Sequence, residues 1–155
     1  MRRAGRRRLA VASGTGAVVV AADQITKSVA LAHLHGPVHV LGPFGLNLTF
    51  NSGVAFSLFS GASGVIIAAA AAVVALLVVV TWRSQSAAMS VGLGMVLGGA
   101  IGNLSDRAFR GHHGSVVDFV TLTHWPTFNV ADASITLGAV LIAALVLFQR
   151  PPAPA

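Results

Sequence analysis

The sequence has no cysteine and no glutamate, and its 155 residues include only four acidic ones: Asp23, Asp106, Asp118 and Asp132. Without cysteine there is no disulfide and no thiol nucleophile, and the redox compartment stays open. Without glutamate, any carboxylate chemistry falls to those four aspartates. Charge of any kind is scarce: 9% of residues are charged and 55% are hydrophobic, with a mean hydropathy of +0.81. A soluble domain carries about 25% charged residues, and a chain this short has too little interior to hide so much apolar surface from water. A single-domain membrane protein is the first reading. Repeats of about 20–50 residues, which would mark a solenoid, are also missing.

The net charge is +6, but half of the ten Lys and Arg residues lie within residues 1–8. A basic end can bind nucleic acid. This one abuts an apolar run, so it reads as a topology signal, and no nucleic-acid partner is expected.

Residues 9–22 carry no charge; Asp23, Gln24 and Lys27 then interrupt an apolar pattern that resumes as far as Leu34. A span needs about 20 residues, so a first helix over 9–32 must carry Asp23 and Lys27. These two stand four apart on one helical face and can pair. The competing reading is a cleavable signal peptide, with residues 2–8 as its basic start and Val20-Ala-Ala22 as its cleavage site. The retained helix is favoured, because the apolar pattern continues after Asp23 and later segments also span. Residues 33–60 are punctuated by Gly36, Pro37, Gly42, Pro43 and Gly45. Within them, residues 46–51 alternate apolar and polar as a strand does. Residues 38–41 can pair with it through Gly42-Pro-Phe-Gly45.

Residues 61–82 are unbroken and uncharged, and 87–103 are rich in the small residues that let membrane helices approach closely. Residues 106–129 are polar, and 130–148 are apolar again, with Asp132 at their start. The expectation is therefore a membrane all-α domain of residues 1–155. It has four transmembrane helices, roughly 9–32, 61–82, 87–105 and 130–148, with a small extracytoplasmic β-cradle and loop in 33–60 and 106–129. Four spans put both termini, the arginine-rich start, Arg83 and Arg150 on one side, which the positive-inside rule makes the cytoplasm. Asn51, Asn103, Asp106, Arg107, Asp118 and Asp132 then share the opposite face.

Asp118 and Asp132 are the candidate chemistry. Two close carboxylates do not both ionise easily, so one keeps a proton and the other is a base. Such a pair can activate water against a peptide carbonyl. The plainer reading makes Asp132 a helix cap and Asp118 a turn residue. Asn103 and Arg107, four apart, can hold a substrate's backbone; equally, Arg107 can snorkel and pair with Asp106. Asn51 follows a strand and precedes Gly53, which permits a tight turn; an Asx turn explains it as well as peptide binding does. The six histidines include no H-E-x-x-H or similar spacing, so no metal is expected.

Together these motifs resemble lipoprotein signal peptidase, the bacterial signal peptidase II family. The matching pieces are Asp23-Gln-Ile-Thr-Lys27, Asn51-Ser-Gly-Val-Ala-Phe56, Gly98-Gly-Ala-Ile-Gly-Asn-Leu-Ser-Asp-Arg107, Val116-Val-Asp-Phe119 and Phe128-Asn-Val-Ala-Asp132. They run in family order from the first span to the last. The resemblance implies an intramembrane aspartic endopeptidase of the bacterial cell membrane, with no cofactor. It would remove the signal peptide from prolipoproteins, cutting before a cysteine that carries diacylglycerol. It implies Asp118 and Asp132 as the catalytic pair and Asn51, Asn103, Arg107 and Asn129 as substrate-binding residues. Asp23, Lys27, Gly53 and Asp106 would support them. Membrane lipids and globomycin-like peptide inhibitors are the further expected partners, and a monomer is the expected state. Two other classes remain beside it. A small transporter would use Asp23, Lys27 and Arg107 as a polar path, yet the polar residues collect at one face. A scaffold that binds helices through its glycines leaves the clustering of aspartates unexplained.

Overall fold

The computed structural model describes residues 2–52, 63–82 and 86–148. In chain order its elements are α1 (Arg2–His33), β1 (Val38–Leu41), β2 (Phe44–Asn51), α2 (Ser63–Trp82), α3 (Ala87–Phe109), β3 (Val116–Leu122), β4 (Trp125–Phe128) and α4 (Val130–Leu147). Among the described residues, Gly5–His33, Ala87–Phe109 and Val130–Leu147 are long and apolar enough to cross a membrane. α2 is a further 20-residue helix without a charged residue.

α3 is the central helix and packs against α1, α4 and α2. Ser86 caps its start, the Oγ accepting the Met89 N–H at 3.1 Å. Gly111, with φ +76°, follows its end in the left-handed conformation that terminates many helices. Glycine is what allows the packing to be this close. A Cβ on Gly98 would stand 2.7 Å from the Gly16 carbonyl oxygen on α1, and one on Gly99 would stand 2.5 Å from the Ala131 oxygen on α4.

The usual distribution of side chains is inverted. Val18, Ile25, Val29, Leu137 and Val140 on the helix exteriors are all more than half exposed, whereas Asp23, Lys27, Asp106, Asp118 and Asn129 are almost completely buried. An apolar exterior around a polar interior suits a protein whose solvent is lipid.

The sheet caps one end of the helices, where α1 and α3 finish and α4 begins. It has four antiparallel strands in the order β1-β2-β3-β4. The hairpin expected over residues 38–51 is present. β2 begins at Phe44, so its turn is Gly42-Pro43 with Gly42 at φ +53°, tighter than the four-residue link expected. Two differences are larger. The helix expected to end at residue 105 runs to Phe109, which places Asp106 and Arg107 inside α3. The 106–129 segment, expected as a polar loop, supplies β3 and β4. Val116, Val117, Asp118 and Phe119 are all buried, so β3 shows no alternation to betray it.

Candidate active site

Asp118 and Asp132 come from different elements, and Asn129 joins them. Asn129 caps α4 through a capping box. Its Oδ1 accepts the Asp132 N–H at 2.9 Å, and its own N–H donates to Asp132 Oδ2 at 3.2 Å. The same side chain turns its Nδ2 towards β3 and donates to Asp118 Oδ1 at 2.6 Å. The plainer reading of Asp132, a helix cap, is thus observed. That of Asp118, a turn residue, is replaced by a place in the middle of β3.

Each aspartate has a second amide donor. Asn51 Nδ2 donates to Asp118 Oδ2 at 3.0 Å. The pairing makes this natural: Thr49 faces Asp118 across β2 and β3, so Asn51, two residues on, lies diagonally opposite on the same face. Asn103 Nδ2 donates to Asp132 Oδ1 at 2.8 Å. Arg107, one helical turn further along α3, donates from Nη1 to the Asn103 carbonyl at 3.4 Å and is electrostatically coupled to Asp132 and Asp118. Its Nε is buried with no hydrogen-bond partner, and Asp106 pairs with other cations. Gly53 lies outside the described residues.

Behind this layer is a fully buried ionic cluster. Lys27 Nζ is 2.8 Å from Asp23 Oδ2 and 2.8 Å from Asp106 Oδ2, with both side chains of each pair at 0% exposure. The pairing of Asp23 with Lys27 follows from their spacing. The third member, Asp106, does not, and neither do Gln24 and Arg110. Gln24 Nε2 donates to Asp106 Oδ1 at 3.0 Å, and Arg110 donates to the same oxygen at 2.9 Å. The one signal for Arg110 was its position four residues after Asp106.

Burial pushes the Asp118 carboxyl up from 3.8 to about 6, and the Asp132 charge adds to the rise, while the bonds from Asn51 and Asn129 act against it. A carboxyl raised in the folded state favours folding in its protonated form. Its contribution is full below the unfolded value near 3.8 and is lost as pH climbs through about 6. At about 1.4 kcal/mol per pH unit, ionised Asp118 costs about 3 kcal/mol at neutral pH. The prediction is that Asp118→Asn gains stability relative to the parent between pH 4 and 7. Melting of both proteins in detergent across that range checks it, and a constant difference would refute it.

The sequence model described as Signal peptidase (SPase) II matches residues 15–148. The chain belongs to the signal peptidase II family. It is similar to the lipoprotein signal peptidase of Rhodococcus jostii (strain RHA1), 41% identical over 141 residues, which cover 87% of this chain and 71% of that protein. It is also similar to that of Mycobacterium avium (strain 104), 42% identical over 148 residues, covering 92% and 81%. A bacterial membrane enzyme solved in meso at 1.9 Å superposes with a TM-score of 0.80 at 26% identity, over 90% of this chain and 94% of that one. Membership makes the chain a protease, and the apolar helices make it a bacterial membrane protein. In this member of the signal peptidase II family the polar cluster lies at the end of the helices covered by the sheet.

Proposed function

We propose that this chain is a membrane aspartic endopeptidase that removes the signal peptide from diacylglyceryl-modified prolipoproteins, cutting just before the lipidated cysteine. The observation that carries the reading is the convergence of both carboxyls on Asn129, whose side-chain Nδ2 donates to Asp118 and whose backbone N–H donates to Asp132. Burial raises the Asp118 carboxyl, which supports Asp118 as the acid of the pair and Asp132 as the base. Asp132 takes a proton from water, and the oxygen forms a bond to the peptide carbonyl carbon while Asp118 protonates the carbonyl oxygen. The intermediate collapses with cleavage of the C–N bond. The nitrogen leaves with the proton held by Asp132, and the carbonyl oxygen returns its own to Asp118.

Asn51, Asn103, Arg107 and Asn129 line the substrate site in this reading. Arg107 has a buried N–H available for a substrate carbonyl. Asp23, Lys27 and Asp106 support the site from behind, and Gly53 belongs to the same supporting set. α2 joins the other three helices as a fourth span of one integral-membrane domain. Both termini are then cytoplasmic and the dyad lies near the extracytoplasmic face. The protein acts as a monomer, and globomycin-like peptides bind at the dyad.

The test is incubation of the purified chain, in lipid, with a prolipoprotein that does or does not carry diacylglycerol on its cysteine. Cleavage of the lipidated form before that cysteine is expected, with the unmodified form left intact. No cleavage of either in a membrane that keeps the protein folded would overturn the proposal.

A further inference from the structure

The mechanism makes no direct use of the buried Lys27, yet its position has a consequence for the dyad. Nζ has three N–H groups and three acceptors: Asp23 Oδ2 at 2.8 Å, Asp106 Oδ2 at 2.8 Å and Asn103 Oδ1 at 2.9 Å. A side-chain amide has an accepting end and a donating end, and either can in principle face Asp132. An ammonium can only donate. With Nζ against one end of the Asn103 amide, that end must be the oxygen, and the nitrogen is driven towards Asp132 Oδ1. The reverse orientation would set the amide N–H against Nζ and against Asn129 Nδ2, and the amide oxygen against a carboxylate.

The carboxylates that hold Lys27 are themselves tied to the neighbours of the dyad. Asp23 Oδ1 accepts the N–H of Ala131, the residue before Asp132, at 3.0 Å. Asp106 Oδ2 accepts the N–H of Val117, the residue before Asp118, at 3.1 Å. Gly102 leaves the room this requires, since a Cβ there would stand 2.6 Å from Asp23 Oδ2. One buried ammonium is thus linked, through Asp23 and Asp106, to the backbone of the residue that precedes each dyad aspartate.

Resting on the proposed function, we propose that Lys27 is a positioning residue: it fixes the amide of Asn103 with its nitrogen towards Asp132. Removing Lys27 alone would strand two buried carboxylates, so the test removes one charge of each sign. In Asp23→Asn/Lys27→Met, the residue at 23 keeps an oxygen for the Ala131 N–H and Asp106 keeps Arg110. In this variant kcat falls about 10²-fold, while KM moves by less than about threefold. The side-chain amide signal of Asn103 in ¹⁵N NMR, identified by its loss in Asn103→Ala, responds to Asp132→Asn in the parent. It no longer does so once Lys27 is gone. Lys27→Gln in the same Asp23→Asn background supplies a neutral donor and restores both the response and most of kcat.

An amide signal that keeps its response without Lys27, or a glutamine that restores nothing, overturns the proposal. So does an Asn103 amide in the parent that never responds to Asp132→Asn, a result that requires no Lys27 variant to fold. Failure of the proposed function has a different signature: the parent cleaves nothing, and the amide measurement still decides the role of Lys27.

Discussion

Replacing Asp118 or Asp132 with asparagine is expected to abolish cleavage of a lipid-modified prolipoprotein while the protein stays folded. Asparagine has the shape of aspartate and cannot take a proton from water or pass one to a carbonyl. General acid–base catalysis alone contributes about 10²- to 10⁴-fold, and the two carboxyls act as a unit, so either change removes at least that much. Folding survives for reasons local to each site. At position 132 the amide oxygen still accepts the Asn129 N–H of the capping box, and loss of a cap costs about 1 kcal/mol. At position 118 the variant has no carboxyl to ionise in a buried site, which offsets any loss of the bonds from Asn51 and Asn129. Cleavage and thermal melting on the same samples decide the matter. Substantial cleavage by either variant would remove that aspartate from the dyad and send the chemistry elsewhere.

How much of this site was legible depends on whether a residue's partners are near it in sequence. Asp23 and Lys27 stand one helical turn apart, and their ion pair follows from the spacing. The pairing of β1 with β2 followed from alternation and turn residues, though the two-residue turn at Gly42-Pro43 did not, and close helix packing followed from the density of glycine in α3. β3 was hidden because both its faces are covered and its one charged residue reads as a break. Its β-branched run, Val116, Val117, Val120 and Thr121, was the usable signal. The bonds between residues far apart in sequence were not legible at all. The bond from Ala131 to Asp23 joins residues 108 apart, and that from Gln24 to Asp106 joins residues 82 apart. No periodicity encodes a contact at such separations. The resemblance supplied Asn103 and Asn129 as residues of a site. What the fold adds is direction, namely which end of each amide faces which oxygen.

That direction depends on how near α4 lies to α3, which gives the second large expected effect. Gly99→Ala would set a methyl group 2.5 Å from the Ala131 carbonyl oxygen and 2.7 Å from Ile135 Cγ1. The side chain can turn aside, but the carbonyl is held in a helix and cannot, so the first turn of α4 must move. Overpacking of this kind costs about 1–3 kcal/mol. Its effect on activity should be larger than its effect on stability. Ala131 carries the N–H bound to Asp23, and the next residue is Asp132. A displacement of about 1 Å at a reacting group can cost about 10²-fold.

Gly98→Ala is the informative comparison. It collides with the Gly16 backbone at 2.7 Å, on the α1 side of α3 and away from the α4 turn that carries Asp132. It should lower the melting temperature comparably and spare much more activity. Gly14→Ala, exposed with nothing within 4 Å, should stabilise the helix slightly, because alanine is the better helix former. Equal losses of activity in the Gly98 and Gly99 variants would mean that glycine serves only general packing. A loss concentrated at Gly99 would mean that the contact of α3 with α4 sets the position of Asp132 against Asp118, so that the close approach of these two helices and the geometry of the dyad are one constraint.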